Sequence, residues 1–340
     1  MGESLWRDDE RSYIRVLPEA IGVSSKRCSL SLQRAVCDFG LETSFQKSVD
    51  GIREHYGFTL PLSAVGDVTR RHAAQIARKQ SEDVSGAHAL PLEGAGQLTA
   101  EADGSFVRIV SSTGSGGDAR KRREVNYQEV RLCASVIEGS SQTFYGATLG
   151  PVDTVGSLWA YTAKLAGMGL NTSVHIVADG ASWIDTQSRI AFGSRGQLLI
   201  DLYHVMEYLG AASKGCSTED KHWLKTQKRR LKEGRADTVI AELKKHVESP
   251  ESPDGESPVR CALRYFENRR ENLAYDQAIA KGLPLGSGLI ESGNKHVIQA
   301  RMKISGASWS EQTAENFVSA RALRANKLWD NYWTQIPIAA

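Results

Sequence analysis

"SVHIVADGASWIDTQSRIAFGSRGQLLID", residues 173–201, decides the fold. Residues 173–178 are an apolar run of the kind that fills a strand buried on both faces. "SWIDTQSRIAF" reads as a short helix and "GQLLID" as another strand. A strand, a helix and a strand in so short a stretch make a parallel unit of an α/β sheet. Upstream, "SFVRIV" (105–110), "VNYQEVRLCASVI" (125–137) and "SQTFYGATLG" (141–150) read as three strands with tight connections. Pro151 then opens an amphipathic helix that runs through Leu165. The order is three strands, helix, strand, helix, strand. In that order the first strand is central and the fourth pairs beside it.

The flanks are helical. "SLQRAVCDFG" (31–40) places Leu32, Val36 and Phe39 on one side; Ser44 is an N-cap for "FQKSVDGIREHYG" (45–57). "LPLSAVGDVTRRHAAQIARKQ" (60–80) spaces Val65, Val68, His72 and Ile76 as a helix with basic residues to one side. Helix, glycine turn and basic helix give the outline of a helix-turn-helix, which many three-helix units share. Residues 1–28 show no clear periodicity and read as a loosely held arm. Residues 81–96, with three glycines and a proline, read as a linker. Beyond residue 201 the pattern is helical almost to the end, broken at "SPESPDGESP" (249–258), which reads as an exposed, mobile loop. Ser310 caps a last long helix.

The chain has 340 residues, 41% of them hydrophobic and 24% charged, which is ordinary globular composition and enough for two domains. Its net charge of +2 conceals basic clusters: "RKRR" at 120–123; Arg70, Arg71, Arg78 and Lys79; and seven Lys/Arg against one Glu over residues 221–235. Such clusters suit either solvated helix faces or a polyanionic partner. The five cysteines have no zinc spacing, and a scattered odd count fits a reducing cytoplasm. No stretch of 18 apolar residues exists, so no membrane span is expected. "GSGG" at 114–117 is not a phosphate loop, because no GK[ST] follows and no helix starts there.

Three carboxylates stand at telling places. Asp103 in "EADGSFV" opens the first strand, Asp179 in "VADGASW" follows the fourth, and Glu291 starts a late helix after "LPLGSG". Taken singly, an aspartate before a glycine is more often a turn former or a cap, and a glutamate in a first helical turn gains a few tenths of a kcal/mol from the dipole. Together, the strand order brings Asp103 and Asp179 to one edge, and a helix across the sheet brings Glu291 there. Unit charges 4 Å apart at an effective dielectric near 20 cost about 4 kcal/mol per pair. Such a cluster persists when divalent cations occupy it, and oxygen ligands suit Mg²⁺.

"VADGASWI" (177–184), "IDLYHVMEYL" (200–209) and "LPLGSGLIESGNKHVIQARMKISGASWS" (283–310) resemble segments of bacterial insertion-sequence transposases of the ISKra type. These are DDE transposases with a ribonuclease H-like catalytic domain. The resemblance covers about residues 31–333 and is strongest in the last segment. It implies a ribonuclease H-like five-stranded mixed sheet with a helical insertion, preceded by a small all-α helix-turn-helix domain. The expected organisation is an arm and helix-turn-helix domain at 1–80 and a linker at 81–97. The catalytic domain takes 98–204 and 282–333, around an insertion at 205–281. The resemblance also implies that Asp103, Asp179 and Glu291 hold two Mg²⁺ ions, for which Mn²⁺ substitutes. Asp201 and His204 of "DLYH" fall near the active site by the same resemblance. Alternatively they are an N-cap and a buried, hydrogen-bonded histidine.

Arg70, Arg71, Lys225, Arg229, Lys232, Lys295, Arg301 and Lys303 are the expected phosphate contacts. The expected partners are double-stranded DNA, both terminal inverted repeats and target, and further copies of the chain in a dimer or larger assembly. Two other classes remain: a ribonuclease H-like nuclease that cuts without joining, and a non-enzymatic DNA-binding protein derived from a transposase.

Overall fold

The computed structural model describes residues 4–7, 12–15, 28–86, 89–112 and 123–336. Strands β1 (Ser4–Arg7) and β2 (Ser12–Arg15) pair antiparallel. The remainder of the expected arm lies outside the described residues, as do residues 113–122 of the glycine-rich basic connection. Three helices follow: α1 (Leu30–Gly40), α2 (Phe45–Tyr56) and α3 (Leu62–Gly86). Ser44 caps α2 as its position in the sequence suggests, accepting a hydrogen bond from the Lys47 N–H.

The main sheet contains β3 (Gln97–Ser112), β4 (Arg123–Ile137), β5 (Phe144–Thr148), β6 (Ser173–Ala178) and β7 (Gly196–Ile200). Their spatial order is β5-β4-β3-β6-β7. β3, β4 and β5 form an antiparallel meander, and β3, β6 and β7 run parallel. Helix α4 (Val155–Ala166) joins β5 to β6, and α5 (Ser182–Phe192) joins β6 to β7. β6 is buried along nearly its whole length, as its apolar run requires for a strand with neighbours on both sides.

β3 begins at Gln97, eight residues before the apolar run that marks it in the sequence. Asp103 is therefore a mid-strand residue, not a strand opener. Small and acidic residues at 99–104 hide the strand, but β4 pairs along nearly all of it and β6 pairs with it through Glu101.

Two cores line the sheet. Leu98, Ala100 and Ala102 face Trp159 and Phe192 of α4 and α5. On the opposite face, Val107, Ile109 and Leu132 join Val36, Ile52, Val65 and Ile76 of α1–α3. The same cluster includes Phe317 of α13 (Glu311–Ala325) and Trp329 of α14 (Trp329–Gln335). His72 closes the junction, bonded to Gln33 at 2.9 Å and to the Tyr332 hydroxyl at 2.8 Å. The N-terminal helices thus share a core with the C-terminal ones. Nor is 81–97 all linker: α3 takes its first six residues, because the helix rests on α13.

The segment after β7 is helical: α6 (Leu202–Cys216), α7 (Asp220–Lys232), α8 (Ala236–Lys244), α9 (Pro258–Asn268) and α10 (Tyr275–Ala280). These helices enclose their own core around Leu209, Trp223, Leu243, Phe266 and Tyr275. The connection at 249–258 is held rather than loose. Glu248 accepts from the N–H groups of Val259 and Arg260 at 2.9 and 2.8 Å, and Arg260 donates to the Ser249 carbonyl at 2.7 Å. The chain then returns to the sheet through α11 (Gly288–Gly293), a π-helical turn (Asn294–Gln299) and α12 (Ala300–Met302). No described helix is long and apolar enough to cross a membrane.

Candidate functional site

The last parallel pair between β3 and β6 is Glu101 with Val177. Continuing that register puts Asp103 level with Asp179, the first residue beyond β6. α11 lies over this point and carries Glu291 in its first turn. Close approach is possible because residue 293 is glycine: a Cβ there would lie 2.6 Å from the Tyr145 ring and 3.0 Å from Leu132. The three carboxylates expected to meet therefore act on one another. Burial, together with the charges of Asp179, Glu129 and Glu291, pushes Asp103 above the usual carboxylate range, against the pull of the Gly104 N–H. None of the three pairs with a lysine or arginine among the described residues.

Each carboxylate is oriented. Asp103 Oδ1 accepts from the Gly104 N–H at 2.7 Å and Oδ2 from Asn294 Nδ2 at 2.6 Å. Asn294 is buried and its Oδ1 has no partner, so a polar atom beside Asp103 stands uncommitted. The π-helical turn beginning at Asn294 is of the kind often found at functional sites. Asp179 Oδ1 accepts from the Ala181 N–H at 2.8 Å. The insertion also grips this turn: the Tyr265 hydroxyl donates to the Asp179 carbonyl at 2.6 Å, and Arg269 donates to the Gly180 carbonyl at 2.6 and 3.0 Å. Gly180 has φ +86°, and a side chain there would collide with Arg269. Glu291 is exposed.

Oxygen donors from three separate elements, mutually repelling and without a cationic partner, suit a hard divalent cation. They do not yet converge: among the described residues no three His, Cys, Asp or Glu side chains are already grouped to hold an ion. Reorientation of the exposed Glu291 is the movement open to the site.

Glu101 is a residue that sequence reasoning misses. It is fully buried two residues from Asp103, on the same side of β3, and Oε2 accepts from the Ile290 N–H of α11 at 2.8 Å. Oε1 has no partner. Burial first, then the charges of Asp201 and Glu291, push its carboxyl up to about 8, opposed by the N–H groups of Ile290 and Leu289. The signal in the sequence is its i, i+2 relation to Asp103, which puts both on one strand face. Its folded pKa exceeds its unfolded value, so the folded state holds a proton that the unfolded state releases. Stability should therefore fall as pH rises from about 4.5 to about 8, by on the order of a few kcal/mol, and then level off. Urea denaturation across that range in chelator should show this fall in the wild type and a flatter profile in Glu101→Gln. Parallel profiles would show that Glu101 does not titrate in this window.

Several expected site residues have other work. Asp201 is buried and caps α6: Oδ1 accepts from the Tyr203 and His204 N–H groups at 2.6 and 3.4 Å. Oδ2 accepts from the Ser287 N–H and hydroxyl at 2.8 and 2.5 Å. Its carboxylate is spent on tying the approach of α11 to α6, so the catalytic expectation for Asp201 gives way to a positioning one. His204 is partly exposed, lies 3.3 Å from Glu207, and packs edge-on against Tyr208 and Tyr265. Tyr265 links it to the Asp179 turn.

Arg301 is not a phosphate contact. It is buried, donates to the Gly40 carbonyl at 3.1 Å, and lies over the rings of Phe45, Trp309 and Phe317. Burial and the neighbouring Arg321 lower its pKa to about 10. Arg71 donates to Gln33 at 2.7 Å, whereas Arg70 sits over the Phe45 ring 3.8 Å from Asp67 with its side chain still partly exposed. Lys225, Arg229 and Lys232 of α7 are exposed, as are Lys295 and Lys303.

The model of an uncharacterised protein family, UPF0236, matches residues 168–331, just under half of the chain. The matched stretch runs from before β6 through the insertion into α14, and so contains Asp179 and Glu291 but not Asp103. No curated protein matches the chain significantly.

Proposed function

We propose that this chain is a metal-dependent DNA transposase with a ribonuclease H-like catalytic core. The observation that supports the reading is the nearness of Asp179 and Glu291 to Asp103, whose carboxyl both raise, where β3 and β6 part beneath a helix returning from the insertion. Asp103, Asp179 and Glu291 would hold two Mg²⁺ ions, which would supply charge stabilisation for phosphodiester displacement. Asn294 fixes the Asp103 carboxylate. Tyr265 and Arg269 fix the backbone of the Asp179 turn. Asp201 and Ser287 fix the approach of α11. His204, partly exposed beside that turn, orients the scissile phosphate or moves a proton. Hydrolysis at an element end and attack of the freed 3′-hydroxyl on target DNA are both in-line displacements at phosphorus, so one site serves both. Two ends must be paired, so the working form is a dimer or larger assembly on DNA.

The grip on DNA falls to exposed cations. Lys295 lies in the π-helical turn beyond Glu291, and Lys303 directly follows α12. Lys225, Arg229 and Lys232 lie at helical spacing on one face of α7. α2 and α3 retain the outline of a helix-turn-helix, with the exposed Arg78 and Lys79 on α3.

Neutralising Lys225, Arg229 and Lys232 together with Ala should weaken binding to specific and random duplex alike. The slope of log K against log salt should shrink by up to about 3, at roughly 0.9 per phosphate contact. An unchanged slope would assign the α7 face to solvent. Joining separates the transposase from a nuclease that only cuts. Incubated with pre-cut ends and target DNA, the wild type should give covalently joined products in Mg²⁺. Cutting without any joining would favour the nuclease.

A further inference from the structure

Beyond Gly104, β3 and β4 continue as a two-stranded arm whose two faces differ. On one face Val107 and Ile109 are buried in the helical core, and β3 is held along its edge by Trp309, whose carbonyl accepts from the Val110 N–H at 2.7 Å. The other face carries the cross-strand pairs Phe106 with Glu129, Arg108 with Tyr127 and Val110 with Val125. Residues opposite one another in an antiparallel pair share a face. Here Phe106 is 58%, Tyr127 63% and Val125 49% exposed.

The strip continues down to the start of α5. Glu129 is held by Arg131 at 2.8 Å, and the Arg131 guanidinium lies 5.8 Å above the Trp183 ring. Trp183 stands in the first turn of α5, four residues after Asp179. From the Asp179 turn outward the order is Trp183, Arg131, Phe106, Arg108, Tyr127, an alternation of rings and guanidinium groups. Arg123 follows at the outer end.

We propose that this face binds single-stranded DNA, with bases stacked on Phe106 and Tyr127 and phosphates held by Arg108 and Arg123. The proposal rests on the DNA reading above and names the form of DNA that the arm takes. Charge selects the occupant. The face carries arginines with Glu129 already engaged, so a second copy docked face to face would bring arginines together, whereas a polyanion satisfies them. Exposed rings at strand spacing accept any base, because every base has a π-face. At about 3.3 Å per residue, Phe106 lies roughly 10 Å along the strand from Asp103 and on the opposite face of β3, so the track and the Asp103 carboxylate are reached around the strand's edge. Single-stranded DNA passing the Asp179 turn and Trp183 would run onto this track.

The test is equilibrium binding of the full chain to a fluorescein-labelled 15-nucleotide oligothymidylate and to a 30-base-pair duplex. Phe106→Ala/Tyr127→Ala should weaken single-strand binding roughly tenfold to a hundredfold and leave duplex binding within about twofold. Phe106→Leu/Tyr127→Leu, which keeps apolar bulk but removes the rings, should show the same loss. Arg108→Gln should lower the single-strand salt slope by about 0.7. Single-strand affinity unchanged in both double variants would overturn the track while leaving the DNA reading standing. A change in the sedimentation of the chain with unchanged single-strand affinity would overturn it in favour of an interface between copies. A wild type that binds neither DNA would overturn the track and the DNA reading together.

Discussion

Asp103→Asn, Asp179→Asn and Glu291→Gln should each lower DNA cleavage in Mg²⁺ by roughly a thousandfold or more, while duplex binding stays within about twofold. Each substitution keeps the side chain's size and removes one anionic oxygen donor. Binding is insulated because it rests on exposed Lys and Arg elsewhere. Stability should move the other way. Asp103 is held above the usual carboxylate range by burial and by Asp179, Glu129 and Glu291, so removing its charge relieves repulsion in the metal-free chain. Asp103→Asn should therefore melt at or above the wild-type temperature in chelator, and the advantage should vanish in Mg²⁺. A variant that cuts near the wild-type rate would remove that residue from the metal set.

Arg321→Met should cost about 3–5 kcal/mol, because it leaves several buried carbonyls without a donor at about 1–3 kcal/mol each. The guanidinium is buried and donates Nε to the Val297 carbonyl at 2.6 Å, with further bonds to the carbonyls of His296 and Leu41. It also meets Glu42 at 3.0 Å. Two of those carbonyls belong to the π-helical turn that follows Glu291, and Leu41 ends α1. One side chain of α13 thus fastens the N-terminal helices to the element beside the acidic site. Methionine would fill the space but strand three buried carbonyls. Urea denaturation should show the loss as one cooperative shift, because α1–α3 and α13 share a core. Separate melting of the N-terminal helices would restore the independent domain that the sequence suggests.

The order of strands and helices was legible because each apolar run keeps one period, as in residues 173–178 and 125–137. The start of β3 was not, because Ala100 and Ala102 are too small, and Glu101 and Asp103 too polar, to mark a buried strand without its neighbours. Strand order was enough to bring Asp103 level with Asp179, and the late helix brings Glu291 near Asp103, though the three side chains are not grouped around one point. Glu101 was hidden because a carboxylate buried at the foot of a helix looks, in sequence, like any surface acid. Arg301 and Arg71 misled for the opposite reason: an arginine in a basic helix reads as exposed, and only packing shows it spent on carbonyls, rings or Gln33. Asp201 shows that the side chain of a strand-to-helix junction can be an N-cap and a clasp at once. The grip of Tyr265 and Arg269 on the Asp179 turn joins residues more than eighty positions apart and has no local signature.

The most direct measurement of the central claim is cleavage of linear duplex carrying candidate element ends by the wild-type chain, in Mg²⁺ and in chelator. Products with 3′-hydroxyl ends should form in Mg²⁺, disappear in chelator and return when Mg²⁺ is restored. Cleavage that persists undiminished in chelator would contradict a carboxylate metal site as the seat of the chemistry.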